Sequence, residues 1–169
     1  KMVSFANYLM PINYDKGIKK EYECVRNDVG LFDVSHMGVF KITGADSVVF
    51  LDRVLSNNIG KLSNNQALYT LLCNRSGGVI DDLILYKIND EYILIVNASN
   101  KTKDLDWLVS CKKGDVSIHD MSDTSSLIAV QGPNSRHQLQ EILLSYILLP
   151  EFCSVQVLVK QNLNYLCIH

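Results

Sequence analysis

Two adjacent carboxylates in the middle of an apolar run are the side chains best suited to chemistry. Asp81 and Asp82 lie within GGVIDDLILY, whose branched residues are typical of a buried strand. Successive side chains on a strand point to opposite faces, so the two acids cannot work together as the paired carboxylates of a glycosidase. A buried carboxylate is costly unless it is hydrogen-bonded, paired or protonated. Either one acid lies on a wetter face while the other accepts backbone hydrogen bonds, or one acid lines a pocket and meets a cationic or amine ligand.

A predicted hairpin brings an aromatic side chain close to the second acid. The loop NRSGG joins two strand-like runs, residues 67–73 and 79–88, as a short hairpin connection. This loop length places Asp82 opposite Thr70 and beside Tyr69, and a one-residue bulge would put Tyr69 directly across. The pairing therefore predicts contact between an acid and a phenol.

The same face of the second strand carries more aromatic surface. Asp82, Ile84 and Tyr86 are two residues apart and so share a face, and a one-residue bulge would bring Tyr69 to the same face. An aromatic wall with one acid suits a flat heteroaromatic ligand that has N–H donors. Asn97, at the end of the run ILIVN, is either a turn residue or a donor to this pocket.

The other candidate groups do not form a recognisable site. Ser35 and His36 are neighbours on an extended stretch, so their side chains diverge and do not make a nucleophile and base. We interpret His36 as a structural residue. The remaining histidines have no metal-ligand spacing among themselves or with cysteines, so we expect no metal site. No glycine-rich phosphate-binding motif occurs.

Composition bounds the class of protein. The chain has 169 residues, of which 47% are hydrophobic and 20% are charged, and its formal net charge is -2. This balance argues against a nucleic-acid partner, which favours a basic patch. No apolar run reaches the roughly 20 residues of a membrane span. The cysteines lack paired spacing, which predicts buried thiols in a reducing compartment rather than disulfides or zinc; they are Cys24, Cys73, Cys111, Cys153 and Cys167.

Periodicity predicts hairpins mixed with helices and no sustained alternation of strand and helix. This indicates an α+β fold with mainly antiparallel sheets. The predicted helices cover residues 16–29, 47–55, 104–111 and 135–148, and Gly30 is expected to stop the first of them. The predicted strands cover residues 39–43, 67–73, 79–88, 92–98, 116–119, 127–131 and 155–159, and the chain ends in NYLCIH, which reads as the inside of a further strand.

Several segments, in this order, closely resemble the glycine-cleavage T-protein family, the aminomethyltransferases. They are FANYLMP, CVRNDVG, GLFDVSHMG, ALYTLLCNRSGGVIDDLILYKI, ILIVNASNKTKDLDWL and LIAVQGP. The resemblance runs from about Met2 to Pro133 and more weakly to His169. GLFDVSHMG followed at this distance by N-x-x-GG-x-x-DDL is its most specific part.

The resemblance implies a reaction that depends on tetrahydrofolate. The family takes the aminomethyl group held on the lipoyl arm of the H-protein, passes the carbon to tetrahydrofolate and releases ammonia. Asp82 matches the family's catalytic aspartate, and Asp81 would then be structural. Positions that line the folate cavity are matched by Met37, Tyr69, Tyr86 and Asn97. The location implied is a bacterial cytoplasm or a mitochondrial matrix.

The chain departs from the family pattern in two places. Phe5-Ala6-Asn7-Tyr8 stands where the family usually shows FAGW, which bears on packing around the cavity. The family's glycine-rich segment with its pterin-binding glutamate, a later arginine and the C-terminal barrel domain do not occur in these 169 residues. We therefore expect residues 1–169 to be the N-terminal part of such an enzyme, with parts of two interleaved domains, an incomplete folate site and no activity of its own.

Two alternatives remain open at this point. One is a folate-binding relative with other chemistry, such as an iron–sulfur assembly factor or a demethylase. The other is a truncated module that binds folate or a partner without turnover. The DDL element and VSHMG favour the transferase.

Overall fold

The computed structural model describes residues 1–142, 154–160 and 163–168, with the side chains described up to residue 139 and again at residue 141. In chain order the strands are β1 (Met2–Phe5), β2 (Tyr8–Pro11), β3 (Gly30–Asp33), β4 (Gly38–Thr43), β5 (Gln66–Cys73), β6 (Val79–Ile88), β7 (Glu91–Val96), β8 (Ser117–Asp120), β9 (Ser125–Gln131), β10 (Ser154–Lys160) and β11 (Leu163–Ile168). The α-helices are α1 (Gly17–Asn27), α2 (Ser47–Val54), α3 (Lys101–Cys111) and α4 (Ser135–Ile142).

The chain divides into two compact units that interleave in sequence. The first consists of Lys1–Val34 and Ser126–His169, and the second is Ser35–Ser125, inserted between them. The second unit contains both central aspartates.

The second unit is built on a five-stranded sheet in the order β5-β6-β7-β4-β8. Every neighbouring pair in it is antiparallel. One face, which we call the core face, carries Leu72, Leu83, Leu85 and Leu94 and is covered by apolar side chains of α2 and α3. All four of these leucines are 2% exposed or less. Removal of this apolar surface from water is the main stabilising contribution to the unit.

The opposite face is partly open where β5 and β6 run together. We call this part the open face and define it by Tyr69, Leu71, Asp82 and Ile84, which are exposed or half-buried. The side chains alternate between the two faces because the strand repeat is two residues. The same hairpin therefore presents a dry surface on one side and a wet one on the other.

The first unit holds a hairpin, the helices α1 and α4 and a four-stranded sheet in the order β11-β10-β9-β3. β1 and β2 pair across a two-residue turn in which Ala6 and Asn7 have φ of 46° and 66°. Positive φ at both central residues is the geometry of a type I′ turn, and asparagine tolerates it better than most side chains. Asn7 thus fits the backbone of this turn.

Most predicted elements are found, with corrections in the first unit. Helix α1 ends at Asn27, and Gly30 opens strand β3 rather than stopping the helix. The hairpin of β1 and β2 and the strand β3 were not predicted. The last part of the predicted helix 135–148 lies outside the described residues. Cys24 is exposed, so the expectation of buried thiols is wrong there; Cys73 and Cys111 are half-buried.

Candidate functional site

The register of the β5–β6 hairpin is set by a bulge. Leu72 pairs with Asp81 while Cys73 pairs with Val79, which leaves Ile80 as an extra residue on β6. Asp82 consequently lies opposite Leu71, and the predicted pairing with Thr70 is wrong by one residue. The loop length alone does not reveal such an insertion.

The shifted register still brings the predicted acid and phenol together. Tyr69 lies diagonally across from Asp82 on the open face, and its hydroxyl donates a hydrogen bond to Oδ2 of Asp82 at 2.9 Å. Diagonal neighbours on adjacent strands are within reach of an aromatic side chain. The hydrogen bond to Asp82, followed by slight burial and the charge of that carboxylate, raises the pKa of the Tyr69 phenol. Tyr69 therefore acts as a donor, and its side chain remains 56% exposed.

Asn97 follows the last residue of β7 and holds the other oxygen of Asp82. Its Nδ2 lies 3.2 Å from Oδ1 of Asp82 and 3.1 Å from the Asp82 carbonyl oxygen. The same Nδ2 lies 3.0 Å from Oδ1 of Asp81. One amide thus joins the two aspartates, and the sequence had left it open whether Asn97 is a turn residue or a donor.

Asp81 occupies the core face and is only 4% exposed. It accepts hydrogen bonds from the backbone N–H of Asn97 at 3.2 Å, the Asn97 amide at 3.0 Å and the Asn100 amide at 2.6 Å. Burial raises the pKa of its carboxyl group, but the hydrogen bonds from Asn97, Asp104 and Asn100 outweigh burial and leave the pKa below its usual value. Asp81 is therefore an ionised, fully hydrogen-bonded residue.

A third carboxyl group lies behind Asp81. Asp104, in the first turn of α3, is completely buried, and no N–H or O–H donor in the described chain reaches its oxygens. It faces the carboxyl group of Asp81 instead. Burial, the hydrogen bond with Asp81 and the charge of Asp81 raise the pKa of Asp104 to about 8, with Lys103 opposing them. Two carboxyl groups in contact need one proton between them, and Asp104 holds it at neutral pH.

Asn100 and Asp104 were missed as members of this group. Asp104 lies four residues before Leu108, a fully buried core residue, and helical residues four apart share a face. That spacing predicts that Asp104 is a buried acid, and it is the one signal in the sequence from which the position of Asp104 could have been predicted.

The remaining predicted cavity residues are Met37 and Tyr86. Met37 is half-buried and directly precedes Gly38, the first residue of β4. Gly38 pairs with Val96, the last residue of the antiparallel strand β7, so Met37 and Asn97 lie at the same end of these two strands. Tyr86 is on the face of Asp82, four residues further along β6, and is 3% exposed. The structure thus brings Asp82, Tyr69 and Asn97 into one hydrogen-bonded group.

Metal sites and membrane-spanning helices are two further features to consider in the described part of the chain. Within it, no group of three or more His, Cys, Asp or Glu side chains is arranged to hold a metal ion. None of its helices is both long and apolar enough to cross a membrane.

Comparison with known proteins identifies the family of this chain. The model of the GCVT N-terminal domain family matches residues 1–153. The chain belongs to this family. The match includes the β5–β6 hairpin, Asn97 and Asp104, so the network around the two aspartates lies within the family domain.

Curated relatives and a solved structure similar to this chain are aminomethyltransferases. The chain is 46% identical over 145 residues to an aminomethyltransferase of Thermotoga sp. strain RQ2, covering 85% of this chain and 40% of the relative. It is 45% identical to the aminomethyltransferase of Thermotoga maritima over the same shares. The crystal structure of glycine cleavage system aminomethyltransferase T from Bartonella henselae matches with a TM-score of 0.82 at 31% identity, over 92% of this chain and 43% of that one. The α+β fold is confirmed, and the chain spans about two fifths of the length of these relatives.

Proposed function

We propose that the protein carrying this chain is a glycine cleavage system aminomethyltransferase and that Asp82 is its catalytic carboxylate. The relatives that it matches carry the name aminomethyltransferase. The observation that carries the role of Asp82 is its placement: an exposed carboxylate held by the Tyr69 hydroxyl at 2.9 Å and the Asn97 amide at 3.2 Å. Each donor fixes one carboxylate oxygen.

The carboxylate retains capacity for a ligand. Each oxygen of an ionised carboxylate can accept about two hydrogen bonds. Because Tyr69 and Asn97 occupy one position on each oxygen, both oxygens can still accept an N–H from a bound molecule. The exposed Tyr69 ring supplies an apolar surface beside them, on which a flat pterin can stack. We place Met37 and Tyr86 among the residues that line the same folate site.

The proposed substrates are the aminomethyl group on the lipoyl arm of the H-protein and tetrahydrofolate, which would supply the amine nitrogens that receive the carbon. Two bonds to folate nitrogens would form while two bonds to the carbon break, one releasing ammonia and the other returning the lipoyl thiol on the H-protein. Positive charge develops on that carbon as its leaving groups depart. A carboxylate already oriented by two donors stabilises this charge without reorganising during the reaction. Asp82 is also placed to accept a proton from the attacking amine. Carrier, folate and enzyme would meet in a bacterial cytoplasm or a mitochondrial matrix.

The proposal is tested by assaying the protein at its native length with aminomethylated H-protein and tetrahydrofolate. We expect methylene-tetrahydrofolate and ammonia to form in equal amounts, and neither to form when the H-protein or the folate is omitted. Folate binding without ammonia release, under conditions that support a known aminomethyltransferase, would instead indicate a binding module or a relative with other chemistry.

A further inference from the structure

The buried carboxyl group of Asp104 has no place in the reaction as proposed so far. It lies on α3, behind the core face of the sheet, and contacts Asp81 rather than the open face. A helix residue that only packed against Leu108 would be apolar, since burying a carboxyl group is costly. Its neighbours indicate what it does.

We propose that Asp104 is a positioning residue of the reaction proposed above: its protonated carboxyl group donates a hydrogen bond to Asp81 and, through Asn97, fixes Asp82. The first link is the hydrogen bond between the carboxyl groups of Asp104 and Asp81. Asp81 accepts the Asn97 amide at 3.0 Å, and the same Nδ2 is 3.2 Å from Oδ1 of Asp82. Asp104 touches neither substrate nor any reacting atom.

The arrangement of Asp81, Asn97 and Asp82 depends on the proton of Asp104, because a charged group lies next to it. The groups that act on it are the Asp81 carboxylate from β6 and the Lys103 ammonium from its own helix, while Asn97 and Asn100 are neutral. The Lys103 Nζ donates to the carbonyl oxygen of Ile80 at 2.8 Å. If Asp104 loses its proton, two buried carboxylates repel each other and Asp81 loses a donor. The position of the Asn97 amide between Asp81 and Asp82 should then change.

The pH dependence has a defined sign. The pKa of Asp104 is about 8 in the folded chain against 3.8 for an unperturbed group, so the folded protein holds one more proton between these values. Asp104 favours folding fully below pH 3.8, and this advantage is lost as pH rises toward about 8. Over that interval the contribution of Asp104 to the free energy of unfolding should fall as pH rises.

The test follows the side-chain amide of Asn97 by NMR in the native-length protein while pH is raised from 6 to 10. We expect its resonances to titrate near pH 8 in the wild type. Asp104→Asn, which keeps a donor but has no titratable proton, should abolish this titration and keep, above pH 8, the turnover that the wild type shows below pH 8. Asp104→Ala removes the donor and should lower turnover below pH 8, where the wild type holds its proton.

The NMR readout does not depend on the chemistry of the enzyme, so it separates this inference from the proposed function. If the Asn97 amide titrates equally in Asp104→Asn, or does not titrate in the wild type, Asp104 is not the group that positions it. If the titration is found but no aminomethyl transfer occurs, the proposed function fails while the coupling stands.

A second inference comes from a different place, a cavity of about 300 Å³ in the same unit. Three cationic side chains line it, Arg53, Arg75 and Lys113, and no carboxylate does, although the chain has a net charge of -2. In the described part of the chain none of the three forms an ion pair with an acid; Arg53 donates to the carbonyl oxygen of Cys111. The indole N–H of Trp107, another lining residue, is buried without an acceptor there.

We infer that this cavity binds a small oxyanion, such as the phosphate group of a metabolite. Its lining offers charged and neutral donors, and guanidinium groups match the geometry of phosphate oxygens. A volume of about 300 Å³ is at the lower end for ligand pockets and suits a small phosphate ester. The cavity borders α2, α3 and the β5–β6 turn and contains none of the residues that hold Asp82.

Two thiols that line the cavity, Cys73 and Cys111, allow a direct test. The native-length protein is alkylated with N-ethylmaleimide, with and without inorganic phosphate, and each cysteine is quantified by peptide mass spectrometry. We expect saturable protection of Cys73 and Cys111 by at least about threefold. The exposed Cys24, in the other unit, should react equally with and without phosphate.

Paired charge variants complete the experiment. Arg75→Gln with Lys113→Gln should remove the protection, whereas Lys16→Gln with Lys19→Gln, which removes two exposed cations elsewhere, should leave it intact. Equal protection by chloride at matched ionic strength, or protection that survives in the Arg75 and Lys113 double variant, would show that the cavity has no oxyanion site.

Discussion

The two adjacent aspartates of the β5–β6 hairpin differ in burial and in hydrogen bonding, because Asp81 lies on the core face and Asp82 on the open face. On the core face, Asp81 is 4% exposed and accepts three hydrogen bonds from Asn97 and Asn100 in addition to that of Asp104. On the open face, Asp82 is exposed and holds two side-chain donors, with acceptor positions left over. The first carboxylate is saturated and the second is oriented but available.

This difference shows how one strand separates structure from chemistry. A saturated buried carboxylate can fix the end of β7 but has no capacity for a ligand. An exposed carboxylate would be free to rotate if nothing held it. Asn97 links the two cases because its amide contacts both acids. The rigid, buried acid thereby orients the accessible one.

The largest expected effect contrasts apolar residues of the two faces. Leu85→Ala removes a fully buried side chain from the core face and should lower the free energy of unfolding by 2–5 kcal/mol, about the usual cost of such a cavity. Ile84→Ala, the next residue on the open face, is half-buried and should cost less than about 2 kcal/mol. Denaturant unfolding measures both. Equal losses would mean that the open face is covered in the folded protein.

The next effect concerns Asn97, whose amide contacts an aspartate on each face. Asn97→Ala removes donors from Asp81 and Asp82 together and should cost about 1–3 kcal/mol of stability while also lowering turnover. Asn100→Ala is the matched control, because among the two aspartates the Asn100 amide contacts only Asp81, at 2.6 Å. It should lose stability and keep its turnover per folded molecule. If both variants lose turnover alike, the contact between Asn97 and Asp82 has no special role.

The smallest effect is expected at Tyr69. Tyr69→Phe keeps the exposed ring but removes the hydroxyl that donates to Asp82 at 2.9 Å. Turnover should fall by about two- to tenfold, the scale of one hydrogen bond, with the melting temperature unchanged. A Tyr69→Leu variant, which also removes the ring, should weaken folate binding in addition. Folate affinity that is the same in both variants would argue against stacking on this ring.

The sequence predicts the open face better than the core network. Asp82, Tyr69 and Asn97 were predicted from strand alternation and from the resemblance to a family, and alternation depends only on the two-residue repeat. The register was wrong because the bulge at Ile80 is a local backbone feature that loop length does not encode. Asp104 was missed because an acid in the first turn of a helix is ordinarily exposed and favourable with the helix dipole. Only the packing of α3 on the sheet buries it.

Asp82 is proposed to act in the reaction, whereas Asp81 stabilises the fold around it. The most direct test of this division compares Asp82→Asn with Asp81→Asn in the native-length protein. Turnover is normalised to folded protein, and folate affinity and unfolding free energy are measured alongside. Asp82→Asn should lower turnover on the order of 100-fold or more with little change in stability or folate affinity. Asp81→Asn should cost about 1–3 kcal/mol of stability and keep most of its turnover per folded molecule. An active Asp82→Asn together with an inactive but folded Asp81→Asn would contradict the account and assign the chemistry to the other face.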